Sequence, residues 1–230
     1  VIKGLNNVQV SANWMAASGE NSDDFALRSG VEALSKIAVD LKVSIPVGKD
    51  SLSMRTKWSE NNSDYEVSSP LSGVITAMAP VDDVTESVTP ELNTSDDTSI
   101  LLIKLNNKNR LAGSIFSEIT ETKYQHTPDI DDIEVFEKLF SGIQNLLKNK
   151  KILAMHDISD GGLITTLLEM CFTKKVGMRL DLDDSSGVNE FLFSEEIGFA
   201  IQIKKNNLDE ITNTLTNENI YVKNIAEIID

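Results

Sequence analysis

The stretch Met155-His156-Asp157-Ile158-Ser159-Asp160-Gly161-Gly162-Leu163 constrains the fold of this chain more than any other. The short apolar run Ile152-Leu153-Ala154-Met155 leads into it and reads as a buried strand. The longer apolar run from Leu163 to Phe172 leads out of it and reads as a helix. Between the two lie two carboxylates, a hydroxyl, an imidazole and two glycines. A polar turn from strand to helix is where α/β proteins place their ligands. Glycines let the backbone approach a phosphate, and the amino end of a helix favours an anion. A carboxylate in such a turn repels a phosphate directly, so Asp157 makes most sense as a magnesium ligand that bridges to one.

Composition limits the partners. The net charge is −15, from 36 acidic and 21 basic residues. A surface of that sign repels nucleic-acid phosphates, so no nucleic-acid partner is expected. No run of about 18 apolar residues occurs, so no membrane span is expected either. The first residues, Val1-Ile2-Lys3-Gly4, do not form a signal peptide. Val1 in place of an initiator Met points to an excised fragment. The single cysteine, Cys171, cannot form an intramolecular disulfide, and a cytoplasmic location is the default. A length of 230 residues holds one large or two modest domains.

Helical spacing follows Ser22-Asp23-Asp24 through Leu41. Val43 to Val47 is a short extended segment that ends in Gly48-Lys49-Asp50-Ser51. Leu52, Met54, Thr56 and Trp58 alternate with polar residues as in a half-buried strand. Residues 60–64 form a turn, Tyr65 onward returns as its hairpin partner, and Leu71 to Ala79 is a further strand. Residues 80–98 are rich in Asp, Thr, Ser and Pro, so the chain is divided into a first domain, 1–90, and a second, 91–230. The second domain begins with an apolar strand over 99–105 and a helix over 111–119. An amphipathic helix over 133–147 and the Asp157 turn follow. Strands over 178–182 and 199–203 and a helix face of Leu208, Ile211 and Leu215 complete it. Alternating strands and helices predict an α/β layered fold.

Each chemical feature has a plain structural alternative. In the Asp157 turn, Asp160 is expected to cap the helix and the glycines to make the turn. Asp157 and Ser159 then have no structural task, and phosphate or metal binding stays open beside the capping reading. His156 could be a general base, a hydrogen-bonded residue behind the ligands or a plain structural histidine, and the last two readings are favoured. Gly48-Lys49-Asp50-Ser51 lacks the first glycine of a Walker phosphate loop and is not followed by a helix. Lys49 could neutralise a phosphate, with Asp50 orienting that lysine or a metal. A solvated turn with a local ion pair explains the same residues. Cys171 lies on an apolar helix face and reads as core. Glu195-Glu196 either supplies a carboxylate to a cleft or is a solvated helix end.

Together these motifs resemble the phosphoribosylformylglycinamidine synthase family in its large form. The matching stretches are Val10 to Ala17, Ile45-Pro46-Val47-Gly48-Lys49-Asp50-Ser51-Leu52-Ser53-Met54, Ser69-Pro70-Leu71, His156 to Leu163, and Leu192-Phe193-Ser194-Glu195-Glu196-Ile197-Gly198. They stand in the family's order across nearly the whole chain. Departures are small: the family often has Asn at Ser194 and Met at Leu52.

The resemblance implies an aminoimidazole ribonucleotide synthetase-like fold. A partial ferredoxin-like subdomain would precede a carboxy-terminal α/β subdomain, both from the second of two fused synthetase units. It implies an ATP-dependent ligase of purine biosynthesis, with Mg2+ and ATP or ADP bound. By this resemblance Asp157 is a metal ligand, and Ser159, Lys49 and Asp50 belong to the nucleotide site. No catalytic residue is assigned. The upstream metal ligands, the first synthetase unit and the glutaminase domain would lie outside this segment, and the segment alone is expected to be inactive. Two alternatives remain. One is another enzyme of the same superfamily, for which Lys49 is the discriminating residue. The other is a module that holds a nucleotide without turning it over.

Overall fold

The computed structural model describes residues 1–19, 21–94, 97–182 and 187–229. Residues 95 and 96 of the polar stretch expected to divide the domains lie outside the described residues. The chain forms two compact units, Ile2–Asp82 and the segment from Asp83 onward.

In the first unit, β1 (Gln9–Met15) is the middle strand of three. It pairs in parallel with β2 (Ser44–Ser51) and antiparallel with β5 (Ser72–Met78). Parallel neighbours need a long crossover, and helix α1 (Asn21–Asp40) supplies it. Trp14 of β1 fixes how these parts meet. A Cβ added at Gly30 of α1 or at Gly73 of β5 would stand 3.1 Å from the Trp14 ring, so the two glycines leave the space that the indole fills. A separate hairpin joins β3 (Arg55–Glu60) to β4 (Ser63–Ser68). Its two loop residues, Asn61 and Asn62, have φ of 52° and 62°. That is the handedness a two-residue hairpin turn requires, and Asn tolerates it. Trp58 and Tyr65 lie opposite each other and stack with ring centroids 5.3 Å apart.

The second unit has helices on both faces of one sheet. Its five strands run in the order β7-β9-β6-β10-β8, where β6 is Thr98–Lys104, β7 Ala154–Asp157, β8 Gly177–Leu180, β9 Gly198–Lys204 and β10 Tyr221–Ile229. All pairings are antiparallel. Central β6 is buried along its whole length, as expected of a strand covered on both faces. Its alternate residues serve different cores. Ile100 and Leu102 pack with Leu163, Leu167 and Met170 of α4 (Gly162–Lys174) and Phe191 of α5 (Val188–Phe193). Leu101 and Ile103 pack with Leu139 and Ile143 of α3 (Ile133–Lys148) and Ile211 and Leu215 of α6 (Leu208–Thr216). The fold is the mixed α/β architecture expected from the sequence.

Two expected elements are shorter than their hydropathy suggested. The helix read over 111–119 is α2, Ile115–Ile119. Gly113 has φ +78°, which ends any helix before it, and the Ser114 hydroxyl then caps the Ser117 N–H at 3.1 Å. The strand read over 178–182 stops at Leu180, where pairing with β10 ends.

Candidate functional site

Asp157 is the last residue of β7, paired with Phe199 of β9. The backbone around it is fixed from three sides. Its carbonyl accepts a hydrogen bond from the Thr166 hydroxyl at 2.9 Å, the Ile158 N–H donates to the Gly198 carbonyl at 3.0 Å, and the Ile158 side chain is buried. The carboxylate itself is 64% exposed. Strand pairing and a buried neighbour therefore hold the main chain while the charged group projects into solvent. That is the preorganisation a ligand-binding side chain needs.

His156 sits beside this carboxylate. Its Nε2 is 2.9 Å from Glu169 Oε2, and its Nδ1 is 2.9 Å from the Asp157 carbonyl and 3.2 Å from Asp157 Oδ1. Glu169 and His156 thus form a chain that ends on Asp157. Ser159 is exposed, and its carbonyl accepts the Gly162 N–H at 2.9 Å. Asp157 and Ser159 belong to one turn, as their spacing suggested.

Asp160 does not cap α4. The residue before the helix is Gly161, with φ +84°, and Gly162 follows at φ +72°. The Gly161 N–H is taken by Glu195 Oε1 at 2.8 Å, a carboxylate 34 positions further along the chain. The cap position is thus Gly161, and Asp160 stands one residue before the position from which a side chain caps the helix. Gly162 also meets a close neighbour. A Cβ there would lie 2.6 Å from the Phe193 carbonyl carbon and 2.8 Å from the Leu192 oxygen.

The pair Glu195-Glu196 is not a solvated helix end. Glu196 is 2% exposed and forms a bidentate pair with Arg110, Oε1 to Nε at 2.6 Å and Oε2 to Nη2 at 2.7 Å. Oε1 also accepts the Arg110 N–H at 3.1 Å. Glu196, with help from Asp131, drives the Arg110 guanidinium pKa up from its ordinary value. Asp131, bonded to Lys108 and Arg110, has its carboxyl held below the usual range. Buried Lys104 donates to Asn109 Oδ1 at 2.6 Å, and burial pushes its pKa down to about 8 against the pull of Glu196. Sequence reading singled out neither Arg110 nor Lys104. The one available signal was the run Ser194-Glu195-Glu196 directly ahead of an apolar strand.

Gly48-Lys49-Asp50-Ser51 is not a turn. All four residues lie within β2, with Lys49 opposite Asn13 and Asp50 opposite Trp14. Strand alternation places Lys49 and Ser51 on one face and Asp50 on the other. The Lys49 ammonium accordingly donates to Ser51 Oγ at 3.0 Å, so Ser51 rather than Asp50 orients it. Lys49 and Asp50 belong to the first unit, and Asp157 and Ser159 to the second. Cys171 is buried on α4, and burial raises its thiol pKa, so it is core as expected. Among the described residues no group of three or more His, Cys, Asp or Glu side chains is arranged to hold a metal. Among the described residues no helix is long and apolar enough to cross a membrane.

Comparison with known proteins accords with this architecture. The FGAR-AT PurM_N-like domain matches residues 1–80, and the AIR synthase related protein, C-terminal domain, matches residues 97–230. Among solved structures, T. maritima PurL complexed with ATP is similar over 99% of this chain at a TM-score of 0.68 and 12% identity. T. maritima PurL complexed with FGAR is similar over 96% at 0.66 and 11%. E. coli HypE, a hydrogenase maturation protein, is similar over 96% at 0.65 and 13%. This chain spans 35% of each of those PurL chains and 67% of the HypE chain. Identities this low speak to fold alone. The match to the carboxy-terminal domain covers more than half of the sequence, and the chain belongs to the AIR synthase-related family.

Proposed function

We propose that this chain is part of the second synthetase unit of a phosphoribosylformylglycinamidine synthase. Two domains are implied, an amino-terminal type over 1–90 and a carboxy-terminal type over 91–230. In the intact enzyme ATP phosphorylates the amide oxygen of formylglycinamide ribonucleotide. Ammonia then adds to that carbon and phosphate leaves, giving formylglycinamidine ribonucleotide, ADP and phosphate. A cytoplasmic location accords with this reading. The observation that carries it is the Asp157 turn, an exposed carboxylate on an immobilised backbone. Support comes from the match of the first unit to an FGAR-AT domain and from the likeness to PurL complexed with ATP and with FGAR.

The residues fit a magnesium ion. Mg2+ takes one or two protein carboxylates and completes its octahedron with phosphate oxygens and water. The projecting carboxylate of Asp157 would supply one such ligand. When bound, the ion neutralises charge on the nucleotide phosphates. In this reading Asp157 would hold it, Glu169 and His156 would orient Asp157, and Ser159 would contact the nucleotide. By the resemblance Lys49 would supply a cation to a phosphate and Asp50 would belong to a nucleotide site, each from exposed β2 of the first unit. Ammonia must come from glutamine hydrolysis outside this chain, because Cys171 is buried. The likeness to HypE favours one other reading, a different ATP-using member of the family.

Asp157→Ala in the full-length protein tests the assignment by isothermal titration. Magnesium-dependent ATP binding should be lost while the melting temperature stays within about 2 °C, a residue so exposed carrying little folding energy. An unchanged ATP affinity would reject the metal role. The segment alone should show no ammonia-dependent turnover, and measurable turnover would sink the fragment reading.

A further inference from the structure

Three successive side chains ahead of β9 fasten segments that lie far apart in sequence. The Ser194 hydroxyl donates to the Arg110 carbonyl at 3.1 Å, and Glu196 closes the bidentate pair on the Arg110 side chain. Between them, one oxygen of Glu195 does two things. Oε1 accepts the Gly161 N–H at 2.8 Å and the Ile115 N–H at 3.0 Å. It therefore joins the residue that opens α4 to the residue that opens α2. The Phe116 and Phe193 rings stack at 4.6 Å beside this joint, so the two sides are also held by contact.

We propose that Glu195 is a positioning residue of the nucleotide site, an inference that rests on the nucleotide reading above. Its carboxylate holds the left-handed Gly161 in place and so sets the path of residues 157–162, which carry Asp157 and Ser159. It also occupies the N–H at the mouth of α4. A phosphate arriving at this turn finds that donor already taken by a carboxylate. In the nucleotide reading, a metal held by Asp157 would offer that phosphate another route to the turn.

Because a single oxygen accepts both N–H groups, Glu195→Gln keeps both bonds through its amide oxygen and removes only the charge. Glu195→Ala removes both. In the full-length protein, Mg2+·ATP affinity should fall at least tenfold in Glu195→Ala and stay within threefold of the parent in Glu195→Gln. Hydrogen exchange at the Gly161 and Ile115 amides should quicken in the alanine variant alone. Should Glu195→Ala not fold, Glu195→Asp, one methylene short of both amides, takes its place with the same expectation. Parent-like affinity in the alanine variant with faster Gly161 exchange would overturn the proposal and leave the nucleotide reading standing. Equal losses in the alanine and glutamine variants would also overturn it, since charge rather than position would then matter. A parent protein that binds no Mg2+·ATP would overturn the nucleotide reading and this proposal with it.

Discussion

Glu196→Leu isolates the energetics of the buried pair. The substitution deletes three hydrogen bonds to one carboxylate, from Arg110 Nε, Nη2 and the main-chain N–H. Removing one partner of a buried ion pair costs about 3–5 kcal/mol, mostly because the other charge is stranded. Here Arg110 is not wholly stranded. Its Nη1 and Nη2 still donate to Asp131 at 3.2 and 3.0 Å, and Nη2 also reaches the Asp129 carbonyl at 3.1 Å. The expected loss is therefore near the lower bound, about 3 kcal/mol. In a unit of this size that lowers the melting temperature by roughly 6–12 °C. Tryptophan fluorescence would miss it, since Trp14 and Trp58 both lie in the other unit. Hydrogen exchange at the amides of β6 and β9 reads the right unit. The double variant Arg110→Met, Glu196→Leu removes both charges and should recover to within about 1 kcal/mol of the parent, because burying neither ion avoids both desolvation costs. A loss below about 1 kcal/mol in Glu196→Leu, or a double variant weaker than the single, would refute the reasoning.

Lys104 makes the stability of the same unit pH-dependent. Its folded pKa of about 8 lies below the ordinary 10.5, so the unfolded chain binds more protons between those values. Stability should therefore rise by about 3 kcal/mol from pH 8 to 10.5 relative to Lys104→Met, and a parallel pair of pH profiles would contradict the burial argument. Gly162→Ala should destabilise the start of α4 by at least about 2 kcal/mol, since its methyl would meet the backbone of residues 192 and 193 and φ is +72°. A urea midpoint unchanged from the parent would show that the turn has slack. Cys171→Ser should cost about 1–3 kcal/mol by placing a hydroxyl on an apolar face. The parent thiol should also react slowly with thiol reagents at neutral pH, and rapid labelling of the folded protein would displace it from the core.

What was legible in the sequence is what local pattern controls. The apolar runs on either side of residues 156–162 gave β7 and α4 because their lengths differ, one too short for a helix and one long enough. The hairpin was equally plain, since Asn61-Asn62 interrupts alternating segments. What failed depended on distant partners. Asp160 is a good capping residue in isolation, but the group that meets the Gly161 N–H is Glu195. Glu196 reads as a surface residue until Arg110, 86 positions away, is brought beside it. Residues 48–51 read as a turn because they are polar, yet pairing with β1 keeps them extended, and an exposed strand carries no apolar signature. Hydropathy reports burial, not backbone geometry, wherever both faces of a strand meet water.

The place of β6 at the centre of its sheet has a consequence for how the protein is made. Leu101 pairs with Ile201, and Ile100 with both Gln202 and Ala226, so the two neighbours of this strand are translated about 100 and about 125 residues after it. Until β9 and β10 emerge, an almost wholly apolar segment, Ile100-Leu101-Leu102-Ile103, has neither edge covered. Pairings so distant in sequence form slowly, and an uncovered apolar strand is a template for association with other chains. Synthesis that stops before Tyr221 leaves β6 with one open edge. The nascent protein is thus at its most vulnerable to aggregation between the synthesis of β6 and that of β10, and chaperones that bind short apolar segments would find their target at residues 100–103.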